Sequence, residues 1–466
     1  MTFPFLRRGG MLAPGAGLVR PQALWAWGGG MEMVDRQEAT GEDDPLWVLA
    51  CSGTGGDILP FIAVGRQLAA RGHRVRLLTP APYVDWVASH GLACDGFGSE
   101  QAFLACLDNP DLWDERKGFA VVWQSVAPYL QVLRELAARE SGRCHLICHP
   151  IMLAAANLAK AARPGIKVAA LHLAPSGLCS SHEFPALGSL VLPAWLPLAW
   201  KRRLWRWVYR FWLDPIMLPA LNAARRDMAL PPLDSFDSLL RGTPDAVLGL
   251  FPSWFAATQP DWPAPYFEAG FPPVPTGPAA ELSAELQAFL DAGPAPVAFT
   301  PGTGHKHAGR YFESALAALA RCGRRGLLIT PHREQVPESL PPDVLWLPHA
   351  PFELLLPRLA ALAHHGGIGT CAAAFRAGVP QLICPYAFDQ FDNGWRARRL
   401  GVAETVPAGK LTAGTMAAAL RRLLASEPVA ESCARTAGLA GAGSAFAAAE
   451  RLEQALGLRV SRPLPA

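Results

Sequence analysis

Between Ala363 and Gly401 the chain reads AHHGGIGTCAAAFRAGVPQLICPYAFDQFDNGWRARRLG. His365 and Thr370 carry side-chain donors, and Gly366, Gly367 and Gly369 let a ligand approach the backbone closely. Together they suit a diphosphate. Further along, Asp389 and Gln390 set a carboxylate beside a carboxamide, which supplies the acceptors and donors that several ring hydroxyls require. A second glycine stretch, Ser52-Gly53-Thr54-Gly55-Gly56-Asp57, ends in a carboxylate. With an ordinary pKa of about 4 it is a weak base toward an alcohol, so it would act by taking the proton as a new C–O bond forms. The alternative role for Asp57 is a helix N-cap, with Pro60 in the first turn behind it. A third turn, Pro301-Gly302-Thr303-Gly304, precedes His305 and His307, which either touch the diphosphate or lie at the surface.

These residues need elements to hold them. Leu359 to Ala363 reads as a short buried strand running into the glycine turn and then an alanine-rich helix, whose N-terminus adds unpaired N–H groups and a positive dipole end. Gly378-Val379-Pro380 breaks that helix, and Gln381 to Cys384 reads as a second buried strand. Pro385 then delivers the chain to Asp389 and Gln390 at the strand's C-terminal end, where open α/β sheets bind ligands. In the first half, strands are expected at Leu46 to Cys51, Arg74 to Thr79, His145 to His149, Val168 to Leu173 and Ala246 to Leu250. Helices are expected at Ile58 to Arg71 and near Trp123 to Glu140. Gly53, Gly55 and Gly56 resemble a dinucleotide fingerprint, yet the second strand ends in Leu77-Leu78-Thr79, without the acidic residue an NAD site wants. Further strands at Val297 to Thr300 and Gly326 to Thr330 open a second series. The expectation is α/β: two Rossmann-like domains facing a central cleft, 46–250 and 297–430. A proline-dense linker, 251–296, joins them, a helical segment, 431–466, follows, and 1–45 is a flexible extension in which Met31 and Met33 are alternative starts.

The 466 residues, 51% of them hydrophobic, can fill sizeable cores. A net charge of +3, with no basic run interleaved with aromatics in a nucleic-acid motif, argues against nucleic acid as a partner. Ten cysteines are scattered without metal-ligand spacing. Cys144 and Cys148 fall on one strand, about 13 Å apart along it, too far to share a metal. No apolar run near the start is long enough for a secretory signal, so reduced thiols in a cytoplasmic protein are expected. From Leu192 to Pro215 five tryptophans sit among five basic residues. On a helix Trp200, Leu204, Trp207, Val208 and Phe211 share one face while Arg202, Arg203, Arg206 and Arg210 gather on the other. Charges this frequent exclude a transmembrane span. The segment reads as an interfacial helix or the rim of a greasy site, or else as an amphipathic helix packed on its own domain.

The ordered HHGGIGT and DQ words resemble the nucleotide-sugar-dependent glycosyltransferases of the GT-B fold, in the branch with plant, sterol and bacterial antibiotic enzymes. The resemblance runs from about residue 46 to about 430 and is strongest in the second half. It implies that His365, Thr370 and the Gly302-Thr303 turn contact the donor diphosphate and that Asp389 and Gln390 hold the sugar. Trp346 would lie near the nucleobase, although its spacing to His365 differs by about one residue from the plant pattern, and a core tryptophan is the alternative. Asp57 would be the base, after Gly56 on the acceptor side, where plant members carry His. Trp200, Arg203 and Trp207 would line the acceptor site. UDP-glucose users usually carry a ribose-binding Glu where this chain has Ala373, which favours a dTDP-sugar. No metal is expected, since no DxD-type motif lies near the donor loops.

Within the fold, FTPGTGHKHA, HHGGIGT and AGVPQLICPYAFDQFDN are most similar to the rhamnosyltransferase B chains of rhamnolipid synthesis. That resemblance implies transfer of L-rhamnose from dTDP-L-rhamnose to a hydroxyalkanoate lipid acceptor. A single in-line displacement with inversion is the expected mechanism, and the Trp/Arg segment, read as an interfacial helix, leads to an expectation of peripheral contact with the inner membrane surface. Three other readings compete: a sterol, polyketide or other lipophilic acceptor with a dTDP- or UDP-sugar, a nucleotide-sugar epimerase, and an inactive helper or membrane-surface binding subunit.

Overall fold

Strands form where four or five consecutive apolar residues can be covered on both faces, the pattern of a parallel sheet flanked by helices. In the computed structural model, described over residues 44–273, 281–442 and 446–457, every residue of the first strand is buried. The first sheet contains β1 (Leu46–Ala50), β2 (Arg74–Pro80), β3 (Ala93–Phe97), β4 (Cys144–Cys148), β5 (Lys167–His172), β6 (Ala246–Gly249) and β7 (Tyr266–Glu268). Their order is β3-β2-β1-β4-β5-β6-β7. The second contains β8 (Val297–Thr300), β9 (Gly326–Ile329), β10 (Val344–Leu347), β11 (Ala361–His364), β12 (Gln381–Ile383) and β13 (Ala403–Thr405), in the order β10-β9-β8-β11-β12-β13. Neighbouring strands run parallel in both.

Strand order reverses between β1 and β4 and again between β8 and β11. Those are the positions where doubly wound sheets open a crevice at their C-terminal edge. The three glycine turns follow β1, β8 and β11, so the topology gathers them at the two switch points. The expected pair of Rossmann-like domains is observed.

Three boundaries differ from expectation. The proline-dense stretch is not only a linker: β7 extends the first sheet by pairing with β6, and the helix Ala284–Asp291 packs Leu286 and Leu290 into the second core. The expected helix from Trp123 to Glu140 is two helices, Gly118–Val126 and Val132–Arg139, because Pro128 cannot donate to an α-helical ladder. The C-terminal segment is not one body either. The helix Glu427–Ala442 lies on the second half, whereas Ala448–Ala455 returns to the first and buries Leu452 there. The buried Glu453 fixes this return by accepting from Arg71 Nε at 2.8 Å and Nη2 at 2.6 Å, with His73 Nε2 2.7 Å away. The expected extension lies outside the described residues apart from its last two.

Candidate active site

The helix Gly55–Ala70 begins directly after the β1 turn, with Thr54 as its N-cap. Asp57 is therefore not the cap but the third helical residue, and its carboxylate reaches back: Thr54 N–H donates to Asp57 Oδ2 at 2.8 Å, and Thr54 Oγ1 lies 3.4 Å from the same oxygen. This rotamer needs a glycine behind it. Gly53 has φ +127°, and a Cβ there would stand 2.1 Å from Asp57 Oδ2. Burial raises the Asp57 carboxyl to about 6, against the pull of the Thr54 hydrogen bonds. Gly56 is exposed on the same turn.

On the other side, His364 is structural. Its ring is buried, with Nε2 3.0 Å from Gln381 Oε1 and Nδ1 accepting from Gly366 N–H at 3.1 Å, which sets the glycine turn. His365 is held between two glycines. A Cβ on Gly302 (φ +92°) would come within 2.8 Å of its Cε1, and one on Gly367 within 2.5 Å of its Nε2. Burial lowers His365 to about 4, so the ring is neutral near pH 7, and its Nδ1 has no partner among the described residues. The helix Ile368–Ala377 starts after Gly367, with Gly369 and Thr370 in its first turn. The N–H groups of Ile368, Gly369 and Thr370 precede the first i→i−4 bond, from Cys371 to Gly367, and are the donors such a helix offers to an anion. Ala373, on the inward side of this helix, packs in the second core.

Asp389 and Gln390 open the helix Gln390–Arg399. Gln390 Oε1 accepts from the N–H of Tyr386 at 2.8 Å and of Ala387 at 3.2 Å, so its carbonyl end holds the loop. Asp389 is raised to about 7, first by burial and also by the Asp57 charge, against the Asn393 hydrogen bond. The two carboxylates thus sense each other although they come from different halves. Asn393 has a role that sequence reading missed: its Nδ2 donates to Asp389 Oδ2 at 2.8 Å and to Gly366 O at 2.9 Å, tying the sugar-binding candidate to the phosphate turn. The one sequence signal was its position four residues after Asp389 on a helix.

Thr303 sits in the β8 turn, which joins the halves. A Cβ on Gly304 would lie 2.7 Å from Thr54 Cγ2, and Lys306 pairs with Asp108 at 2.7 Å. His307 Nε2 lies 3.2 Å from Asp108 O at the surface. His305, by contrast, is buried between Trp113, stacked at 5.0 Å, and Tyr386, edge-on at 4.4 Å. A polar seam completes the contact: Ala186 N–H donates to Asp392 Oδ1 at 3.1 Å, and Glu183 binds Arg396 at 2.8 Å and Arg399 at 2.7 Å. Trp346 lies on β10, three strands from β11. Its indole N–H donates to Thr330 O at 3.0 Å, and Arg333 covers a ring face at 5.4 Å.

The tryptophan-rich segment departs most from expectation. It forms the helix Leu198–Val208 and a wider π turn, Tyr209–Leu213. It packs through Trp205, Val208, Tyr209 and Leu213, with Trp205 Nε1 donating to Ser180 O at 3.0 Å and its ring 4.8 Å from Phe184. Trp200, Trp207 and Phe211 instead face outward with Arg203. The extra residue in the π turn carries Tyr209 and Leu213 inward, and only an inward Trp205 reaches the Ser180 carbonyl.

Among the described residues no group of three or more His, Cys, Asp or Glu is arranged to hold a metal ion, and no helix is long and apolar enough to cross a membrane.

Comparison with known proteins agrees with this architecture. Residues 47–162 match the glycosyltransferase family 28 N-terminal domain, and residues 319–448 match the C-terminal domain of erythromycin biosynthesis protein CIII-like proteins. The chain is 30% identical over 425 residues to O-mycaminosyltylonolide 6-deoxyallosyltransferase of Streptomyces fradiae, covering 87% of this chain and 95% of that one. It is 26% identical over 391 residues to sterol 3-beta-glucosyltransferase of Emericella nidulans, covering 77% of this chain and 26% of that one. Among solved structures, the glycotransferase of kitacinnamycin superposes with a TM-score of 0.65 at 20% identity, covering 89% of this chain and 99% of that one. Glycosyltransferase VinC in complex with DTDP gives 0.56 at 18%, over 89% and 99%. The chain belongs to the GT-B glycosyltransferase superfamily, with a family 28-like first half and an erythromycin CIII-like second half.

Proposed function

We propose that this glycosyltransferase moves a 6-deoxyhexose, L-rhamnose, from dTDP-L-rhamnose to the hydroxyl of a β-hydroxyalkanoyl-β-hydroxyalkanoate, with inversion at the anomeric carbon. The observation that carries the catalytic part is the half-buried Asp57 carboxylate, held by Thr54 and electrostatically linked to Asp389 of the donor half. Asp57 takes the acceptor hydroxyl proton as the new C–O bond forms and the bond to the diphosphate breaks. The first-turn N–H groups at Ile368–Thr370 and the neutral His365 receive the departing charge, as preorganised donors do. Asp389, bridged by Asn393 to the phosphate turn, accepts hydrogen bonds from the sugar hydroxyls, and the Nε2 end of Gln390 donates to them.

The donor assignment rests on Ala373, a packed methyl group where a ribose-binding carboxylate would stand, and on the likeness to a 6-deoxyallosyltransferase. The acceptor assignment rests on the FTPGTGHKHA and AGVPQLICPYAFDQFDN words. A second reading keeps every donor residue and changes the acceptor to a sterol or macrolide, which the names of the two relatives favour. Purified protein is offered dTDP-rhamnose or UDP-glucose with a hydroxyalkanoate dimer, a sterol or a macrolide aglycone, and products are weighed. A rhamnosyl hydroxyalkanoate as the main product is expected. Glucosylated sterol or macrolide as the main product refutes the donor and acceptor together.

A further inference from the structure

We propose that residues 190–211 form a ridge that seats on an anionic lipid bilayer. Six of the ten large exposed hydrophobic side chains among the described residues lie in this short stretch: Leu190, Val191, Trp195, Trp200, Trp207 and Phe211. Trp195 is 80% exposed and Trp200 64%, too much for residues that merely edge a core. A concentration of this kind marks an interaction surface.

Its charge selects the occupant. No Asp or Glu occurs between Glu183 and Asp214, while Arg202, Arg203, Arg206 and Arg210 all point to solvent, and none of the four pairs with a carboxylate among the described residues. Arg203 and Arg210 flank Trp207 on the outer stripe, and the Arg210 guanidinium lies 5.9 Å from the Phe211 ring centre. Tryptophans that reach the acyl boundary, with guanidinium groups left at the level of the phosphates, are the arrangement of a helix lying in a membrane interface. A protein-binding patch would concentrate its charges at the rim rather than interleave them with the anchors. The helix is also braced from behind. Trp205 is fixed to Ser180 and Phe184, in the same loop whose Ala186 holds Asp392. Through Trp205 the ridge is thus joined on its inner side to the loop that contacts the donor-side helix.

The test uses the full chain with neither donor nor acceptor, so its outcome is separate from the substrate assignment. Vesicles of phosphatidylcholine alone and of phosphatidylcholine with phosphatidylglycerol are sedimented with the protein, and tryptophan emission is recorded. Binding is expected only to the phosphatidylglycerol vesicles, with a blue shift and loss in high salt. It should weaken roughly tenfold or more in Arg203→Glu/Arg210→Glu and in Trp200→Ser/Trp207→Ser, and persist in Asp57→Asn. The four ridge side chains are all exposed, so unchanged melting temperatures identify folded ridge variants. Equal binding to both vesicles, unaltered binding by the folded variants, or a dimer that the tryptophan variants convert to monomer would each overturn the proposal. The last would assign the ridge to a second copy.

Discussion

Replacing Asp57 by Asn should separate chemistry from stability in opposite directions. The amide oxygen can still accept from the Thr54 N–H now 2.8 Å from Oδ2, so the helix start and the Gly53 contact survive. What disappears is the ability to take a proton. Loss of a positioned base costs on the order of 10²–10⁴ in kcat, while the KM for the donor should hold, since Asp57 contributes to proton transfer and not to nucleotide binding. Stability moves the other way. The folded carboxyl sits at about 6 instead of 3.8, so the folded chain binds this proton more tightly than the unfolded chain. Ionisation therefore destabilises the fold increasingly as pH rises from 3.8 to 6, fully above 6, and not at all below 3.8. At about 1.4 kcal/mol per pH unit the penalty is about 3 kcal/mol, reduced to about 1–2 kcal/mol because the residue is only half-buried and solvent screens it. Asp57→Asn should thus be more stable than the parent by about that amount at pH 8 and equal to it near pH 4. Thermal melts at the two pH values and turnover at saturating donor measure both. A folded variant with turnover within threefold of the parent, or one less stable at pH 8, refutes the assignment of Asp57 as a desolvated base.

The acid limb of kcat/KM should begin below about 7 as Asp389 loses its charge and fall by at least tenfold per pH unit below about 6, where the base Asp57 is also protonated. His365, already neutral near pH 7 through burial, should add no inflection between pH 6 and 9. Asn393→Ala removes the link between Gly366 O and Asp389; donor KM should rise roughly tenfold and stability should fall by about 1–3 kcal/mol, read by donor titration and denaturant melts. Gly302→Ala meets both a positive φ and the His365 ring 2.8 Å from its Cβ, so donor binding measured by calorimetry should weaken about tenfold or more.

How much was legible depends on where each partner lies. β1, β4, β8 and β11 are mostly apolar and buried throughout, and each can be read without its neighbours. β3 reads Ala-Cys-Asp-Gly-Phe and is half-exposed at a sheet edge, so it lacks both alternation and an apolar run. The donor turn was legible because His365, the glycines and Thr370 are consecutive. His305 was not, because its burial comes from Trp113 and Tyr386, neither of which is near it in sequence. Periodicity set Trp200 and Trp207 of the 198–208 helix on a face with Val208 and apart from the arginines, whereas the structure exposes Trp200 and Trp207 beside Arg203 and buries Trp205 and Val208, because the pattern carried no information about which side meets the domain. That was decided by a hydrogen bond to Ser180 and by one extra residue in a turn.

The Gly302-Thr303-Gly304 turn links the two chemical halves mechanically. Gly302 leaves room for the ring expected at the leaving group, and Gly304 for Thr54, whose N–H holds the base. A methyl on Gly304 would stand 2.7 Å from Thr54 Cγ2, whereas ordinary contact begins at 3.4 Å. Thr54 is β-branched and anchored as an N-cap, so it has little freedom to turn aside. Gly304→Ala should therefore part the halves by several tenths of an ångström at the one place where base and leaving group must be aligned. A misplacement on the order of 1 Å costs about 10²-fold in rate, so a fall of roughly tenfold in kcat is expected with donor affinity nearly unchanged. The clash involves only the Thr54 methyl. Thr54→Ser deletes that methyl and keeps the hydroxyl and N–H, so the double variant Gly304→Ala/Thr54→Ser should recover most of the lost kcat, a coupling that independent sites do not give. Strict additivity of the two substitutions would mean that the turn does not set the spacing between the halves.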